Sequence, residues 1–453
     1  MHHVLTFMVG TALMLTAGAS LGLADHTPSP ALTPPPSATP PPLTYAAQVR
    51  ALDLWVTDGV ARTQRDPRSW LGWESLANAY RARALFTGTA LDLGRADAAI
   101  DHSFQVAGRG AGPYLSRAKL RASEHRNDEV GSDLVRASEE LSLDIRDQAT
   151  IAALRAGIAF QSGRYGEAFA AWDASLRLCS QPGTLFALAD ATAATGDPAT
   201  AEILIGEALM AANPRDVELR TWLLLQHGVL ALDQGHWDDA TLRYQQAAAL
   251  LPGWWQVEMR QAELLVRQGR QAEALAAYLG LAQRTGKPEA MDATAALLLR
   301  SGRDREAAAW TAIARLAYDD LLTQQPAAAA GHALDHYLAH NDQPQHTLEL
   351  ALRNQHLRPG GEATLKLALA YLAAERLTEA RAAVDMVLAS PYATAQAFLV
   401  ANTVYRACGE DQRAAAALRR AQAIDPHAGE TTNAGSAARP APPALAESAA
   451  PHA

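Results

Sequence analysis

Between about Asp66 and His427 the chain alternates apolar stretches of helical spacing with short polar breaks, and the breaks recur at a regular interval. Pro182, Pro214, Pro252, Pro288, Pro326, Pro359, Pro391 and Pro426 follow one another at gaps of 32, 38, 36, 38, 33, 32 and 35 residues. Proline lacks a backbone N–H and clashes with the preceding helical turn, so this series marks recurrent helix ends. Midway between the prolines stand Gly163, Gly196, Gly235, Gly269, Gly302 and Gly409, each closing one apolar stretch ahead of another. Five residues after each comes an alanine: Ala168, Ala201, Ala240, Ala274, Ala307 and Ala414. A small side chain there lets a second helix sit tightly on the first. Each unit is therefore predicted to be a helical hairpin that cannot bury its apolar face alone and must stack on its neighbours.

The best-formed unit carries Gly228, Gly235, Trp237, Ala240, Tyr244, Ala247 and Pro252, and the next carries Gly269, Ala274, Tyr278 and Pro288. The unit before Pro182 has Gly163, Tyr165, Ala168 and Trp172. Near the start, Trp73, Leu76, Ala77 and Tyr80 give the first-helix pattern, with roughly ten extra residues expected before a turn at Gly94. Residues 111–147 keep only Ala118, Leu134 and Ala137, and residues 328–360 lose both the turn glycine and the following alanine. These residues resemble the tetratricopeptide repeat family over about four fifths of the chain. The resemblance implies an all-α fold: an α-solenoid, a right-handed superhelix of about ten helical hairpins across residues 45–427. It also implies protein binding in a concave groove, a role shared by members with unrelated tasks, and so a non-enzymatic scaffold or adaptor. The Lys and Asn pair with which some members clamp a carboxylate is absent, since Asn78 has no lysine partner.

Composition narrows the partners. Apolar residues are 49% of the 453 and charged residues 19%, enough for an extensive interior. The net charge of −9, with no run of Lys and Arg, argues against nucleic acid. Cys179 and Cys408 are the only cysteines and lie far apart, which excludes a disulfide framework and a cysteine zinc site. Val4 to Ala24 carries no charge and ends in Gly22-Leu23-Ala24. Residues 1–24 are thus expected to be a secretory signal, or alternatively an uncleaved membrane anchor, either of which puts the body outside the cytoplasm, for instance in a periplasm. Residues 25–44 hold eight of the 24 prolines and are expected to form an extended spacer. Residues 428–453, rich in Ala, Pro, Ser and Thr, are expected to be a disordered tail.

Motifs for catalysis fail one by one. Gly18-Ala19-Ser20-Leu21-Gly22 lies inside the export segment, and the run from Gly280 to Lys287 has one residue too many and Pro288 where a phosphate loop needs Ser or Thr. No cofactor and no small-molecule substrate are expected. His332, His336 and His340 stand four apart, so on a helix their imidazoles form one stripe able to hold zinc, copper or nickel, with Asp335 or His346 completing the set. This gives an alternative function, metal handling or sensing. With the prolines setting the register, Trp222, Met259, Glu263, Arg267, Asp292 and Arg300 are expected to line the partner-binding groove.

Overall fold

The computed structural model describes residues 43–108, 110–139 and 143–430. The expected export segment or anchor, nearly all of the spacer and the tail beyond residue 430 lie outside the described residues. Thr44 caps the first helix, α1 (Tyr45–Arg65), its hydroxyl accepting from the Ala47 N–H. Ten hairpins follow. They are α2 (Trp70–Thr87) with α3 (Ala90–Val106), α4 (Tyr114–Ser123) with α5 (Asn127–Ser138), and α6 (Ile145–Gln161) with α7 (Tyr165–Leu178). Next come α8 (Pro182–Ala194) with α9 (Pro198–Ala211), α10 (Val217–Asp233) with α11 (Trp237–Leu250), and α12 (Trp255–Arg267) with α13 (Gln271–Thr285). The last four are α14 (Pro288–Arg300) with α15 (Asp304–Gln324), α16 (Pro326–His340) with α17 (Pro344–Leu357), α18 (Gly361–Ala373) with α19 (Leu377–Leu388), and α20 (Ala395–Ala407) with α21 (Asp411–Ile424). The described residues form an all-α solenoid.

The six punctuating glycines each adopt a left-handed backbone, with φ from 73° to 91°, and the alanines five positions later are all buried. Where the glycine is missing the left-handed turn persists: His125, Asn341 and Glu375 take it at φ 58°, 47° and 61°. In the first hairpin the turn falls at Gly88 (φ 69°), not at Gly94, which lies inside α3. Ala77 and Gly88 are eleven positions apart where Gly228 and Gly235 are seven apart. The insertion is therefore one helical turn, which lengthens α2 without disturbing the hairpin.

Adjoining first helices touch, as α10 does α12 and α18 does α20, whereas adjoining second helices largely diverge. The array consequently curves with its first helices on the inside. The curvature is tight enough that the coil meets itself. Trp254, buried to 1%, stacks on Phe86 at 5.3 Å and donates its indole N–H to the Phe86 carbonyl at 3.4 Å. The Tyr165 hydroxyl accepts from the Gly361 N–H, the Ala393 N–H donates to the Ala194 carbonyl, and His427 stacks on Trp237 at 4.0 Å. Pairs so distant in sequence close the wall of the coil around its inner face.

Candidate functional site

That inner face carries ionisable groups on successive first helices. Glu289 and Asp292, three apart on α14, lie on one face of that helix and look across at the histidines of α16. His336 Nδ1 lies 2.8 Å from Asp292 Oδ1, His340 Nε2 lies 3.6 Å from the same oxygen, and His332 Nδ1 lies 3.6 Å from Glu289 Oε1. Asp292 and His336 are almost wholly buried, while His332 and His340 keep about a quarter of their side chains open. Burial pushes the Asp292 carboxyl up, and the His336 hydrogen bond together with the nearby His340 imidazole outweighs it, leaving it below its usual range. The Tyr318 ring of α15 packs 5.1 Å from that of His336, and no group of the described residues pairs with His336 Nε2.

Of the three histidines expected to share a metal, the structure brings His336 and His340 together around Asp292, their ligand atoms all within 4.8 Å. His332 stands apart on Glu289. Neither Asp335 nor His346 completes the set: Lys366 Nζ draws Asp335 away at 2.9 Å, and His346 packs on the Tyr337 ring at 4.6 Å. Lys366, buried to 5%, also reaches Glu362 at 3.5 Å. Burial pulls its ammonium down, but Asp335 and Glu362 more than restore it.

The expected groove residues divide. Glu263 on α12 pairs with Arg260 at 2.6 Å, Arg267 reaches toward Asp425 at 3.9 Å, and Arg300 is exposed. Trp222 and Met259, by contrast, are buried to 6% and 5% and belong to the packed interior. The reason for Trp222 is the adjoining first helix: Phe186 of α8 meets it edge-on at 4.2 Å and closes over it.

Sequence reasoning missed three acids. Asp190 on α8, Glu218 at the start of α10 and Asp233 at its end all face surroundings that disfavour charge. Burial raises Asp190 to about 7, and Glu362 and Asp233 add repulsion. Glu218 is likewise raised to about 7, by burial and then Asp216, with Gln48 holding it back. Asp233 stays open to water, yet protein surrounds it closely enough that burial raises it to about 6. A single acid in or at the end of an apolar helical stretch is the only signal that Asp190 and Asp233 give, and Glu218 reads as an ordinary first-turn acid after Asp216.

No protein-family model matches the chain, and no curated protein matches it. Among solved structures it is similar to a tetratricopeptide repeat protein from Parabacteroides merdae, at 17% identity and TM-score 0.33, covering 54% of this chain and 93% of that one. It is similar to yeast Tom70 at 13% identity and TM-score 0.38, covering 84% and 87%. The third likeness is to Pseudomonas aeruginosa PilF, at 14% identity and TM-score 0.28, covering 48% and 96%. Likeness this distant bears on fold alone, and the class rests on the geometry. Ten stacked hairpins among the described residues, with left-handed turns, buried small residues at the helix crossings and proline-marked junctions, make this an α-solenoid of repeated helical hairpins.

Proposed function

We propose that the chain is a non-enzymatic scaffold holding a protein partner against its inner wall, and that the partner presents a basic side chain there. Asp190 carries this reading. It forms no hydrogen bond or ion pair among the described residues, and its charged neighbours Asp233 and Glu362 share its sign. An unpaired acid in such a setting costs stability, and a guanidinium or ammonium from outside would remove that cost. The support is the chemistry of the wall, not the likeness to other repeat proteins.

Binding of short extended peptides, basic against acidic, measured by fluorescence anisotropy on the full chain tests it. Peptides bearing Arg or Lys should bind with an affinity that falls as salt rises, and Asp190→Asn should weaken them about tenfold, the scale of one charge-assisted hydrogen bond. Equal binding of acidic peptides, or indifference to Asp190→Asn, would reject the reading. Reading residues 4–24 as an export segment, we place this activity outside the cytoplasm. Mass spectrometry of the mature chain from fractionated cells decides between cleavage after Ala24 and retention as an anchor.

A further inference from the structure

We infer that Asp292, His336 and His340 form a site for one divalent transition-metal ion, with zinc the best match to its donors. Two imidazoles, borderline donors, with one carboxylate suit zinc, iron or nickel, and nitrogen donors are poor ligands for calcium or magnesium. The elements that supply them are rigid. His336 and His340 are four apart on α16, which puts both rings on one face, and Asp292 comes from α14, the adjoining first helix.

The three groups converge without satisfying one another. His336 Nδ1 shares a proton with Asp292 at 2.8 Å, but His340 Nε2, at 3.6 Å from the same oxygen, is too far for a hydrogen bond. His336 Nε2, on a side chain with no exposed surface, has no partner among the described residues. A histidine and aspartate kept only for a structural hydrogen bond need neither the second imidazole nor the orphaned nitrogen. Metal bonds of about 2.0–2.2 Å set neighbouring donors roughly 3.3 Å apart, and the two distances to Asp292 Oδ1 lie on either side of that value. For His336 Nδ1 to bind the ion, its proton must move to Nε2, the ring nitrogen left without a partner among the described residues. Three protein donors leave a fourth position for water, on the side where His340 keeps 26% of its side chain open. The ion would tie the seventh hairpin to the eighth, where the repeat pattern is weakest.

Equilibrium dialysis of the chelator-stripped full chain against zinc, followed by elemental analysis, measures the site directly. One ion per chain is expected, together with a rise in thermal midpoint on loading and visible absorption bands when cobalt replaces zinc. The near-isosteric Asp292→Asn and the partly open His340→Gln, each shown to be folded by circular dichroism, should weaken uptake at least about tenfold, the smallest loss expected on removing a ligand. His332→Gln should retain the ion. The inference is overturned if the folded wild-type chain takes up no zinc, or if Asp292→Asn and His340→Gln bind it as tightly as wild type. Equal loss in His332→Gln also overturns it, since the stripe of three histidines would then be the binding unit.

Discussion

In the fifth hairpin, α10 and α11 meet by shape: Gly228 leaves room for the Tyr244 ring, and a Cβ added there would stand 2.4 Å from a ring carbon. Ala240, Tyr244 and Ala247 are completely buried along the same seam. The eighth hairpin, α16 and α17, reaches the same geometry with much of its polarity turned outward to other hairpins. His336 reaches Asp292 of the seventh, Asp335 reaches Lys366 of the ninth, and Arg358 lies 3.3 Å from His125 of the second. One hairpin is held by its own fit. The other depends on its neighbours, which is what allows it to carry groups with chemistry.

Removing the ninth hairpin's cation, which holds Asp335 of the eighth, should give the largest effect. Lys366→Met strands Asp335 and Glu362 within the wall, and loss of one partner of a buried pair costs about 3–5 kcal/mol. Urea unfolding at pH 7 should show that loss, and the loss should shrink as pH falls, because burial raises the Asp335 carboxyl. A loss under about 1 kcal/mol would mean that the hairpin supports itself. In the fifth hairpin, Gly228→Val should cost about 1–3 kcal/mol by overpacking against Tyr244. At Gly331 an added Cβ meets the end of the flexible Arg358 side chain and, less closely, Asn354 Oδ1 at 3.3 Å, so Gly331→Ala should cost less than Gly228→Val, about 1 kcal/mol. Similar costs at the two glycines would erase the distinction between the hairpins.

The hairpin period was legible because proline, glycine and alanine are each enforced by local sterics. His125 and Glu375 escaped notice as turn residues because a side chain other than that of glycine or asparagine takes the left-handed region only when its surroundings impose it. The meeting of one coil with another depends on accumulated curvature, and pairs such as Tyr165 and Gly361, 196 positions apart, leave no mark in a local window. In the site, spacing alone placed His336 and His340 on one face. Their carboxylate was not readable, because the choice of Asp292 over Asp335 is made by Lys366 on a different hairpin. Register alone put Trp222 on the wall. The Phe186 ring that covers it comes from the preceding hairpin, so no reading of its own unit could bury it.

Acidity separates the two hairpins again, with opposite signs. Glu218 of the fifth has its carboxyl raised from 4.5 to about 7, so it contributes stability below its unfolded value that is lost as pH rises through about 7. Asp292, beside the eighth, lies below its ordinary 3.8, so it contributes stability above that value that is lost as pH falls through the folded one. Glu218→Gln should therefore match wild type near pH 4 and exceed it above pH 7, by about 1 kcal/mol once solvent screening of this half-open group is included. Asp292→Asn should remove part of the acid loss instead. Urea midpoints from pH 4 to 8 check both, and parallel curves for Glu218→Gln and wild type would contradict the first.

The smallest effect should come at the turns. Asn341 holds the left-handed position in the eighth hairpin that Gly235 holds in the fifth, and asparagine is among the few residues that visit this region readily. Asn341→Gly relieves little strain and adds freedom to the unfolded chain, so the two consequences oppose each other and the net change should stay within about 0.5 kcal/mol. Asn341→Val, branched at Cβ, should lose more than about 1 kcal/mol at the same site. If thermal unfolding showed glycine strongly favoured at 341, the lost glycine would be a defect of the eighth hairpin. Near-equality means that the repeat requires a backbone conformation at its turn, which asparagine supplies as well as glycine does.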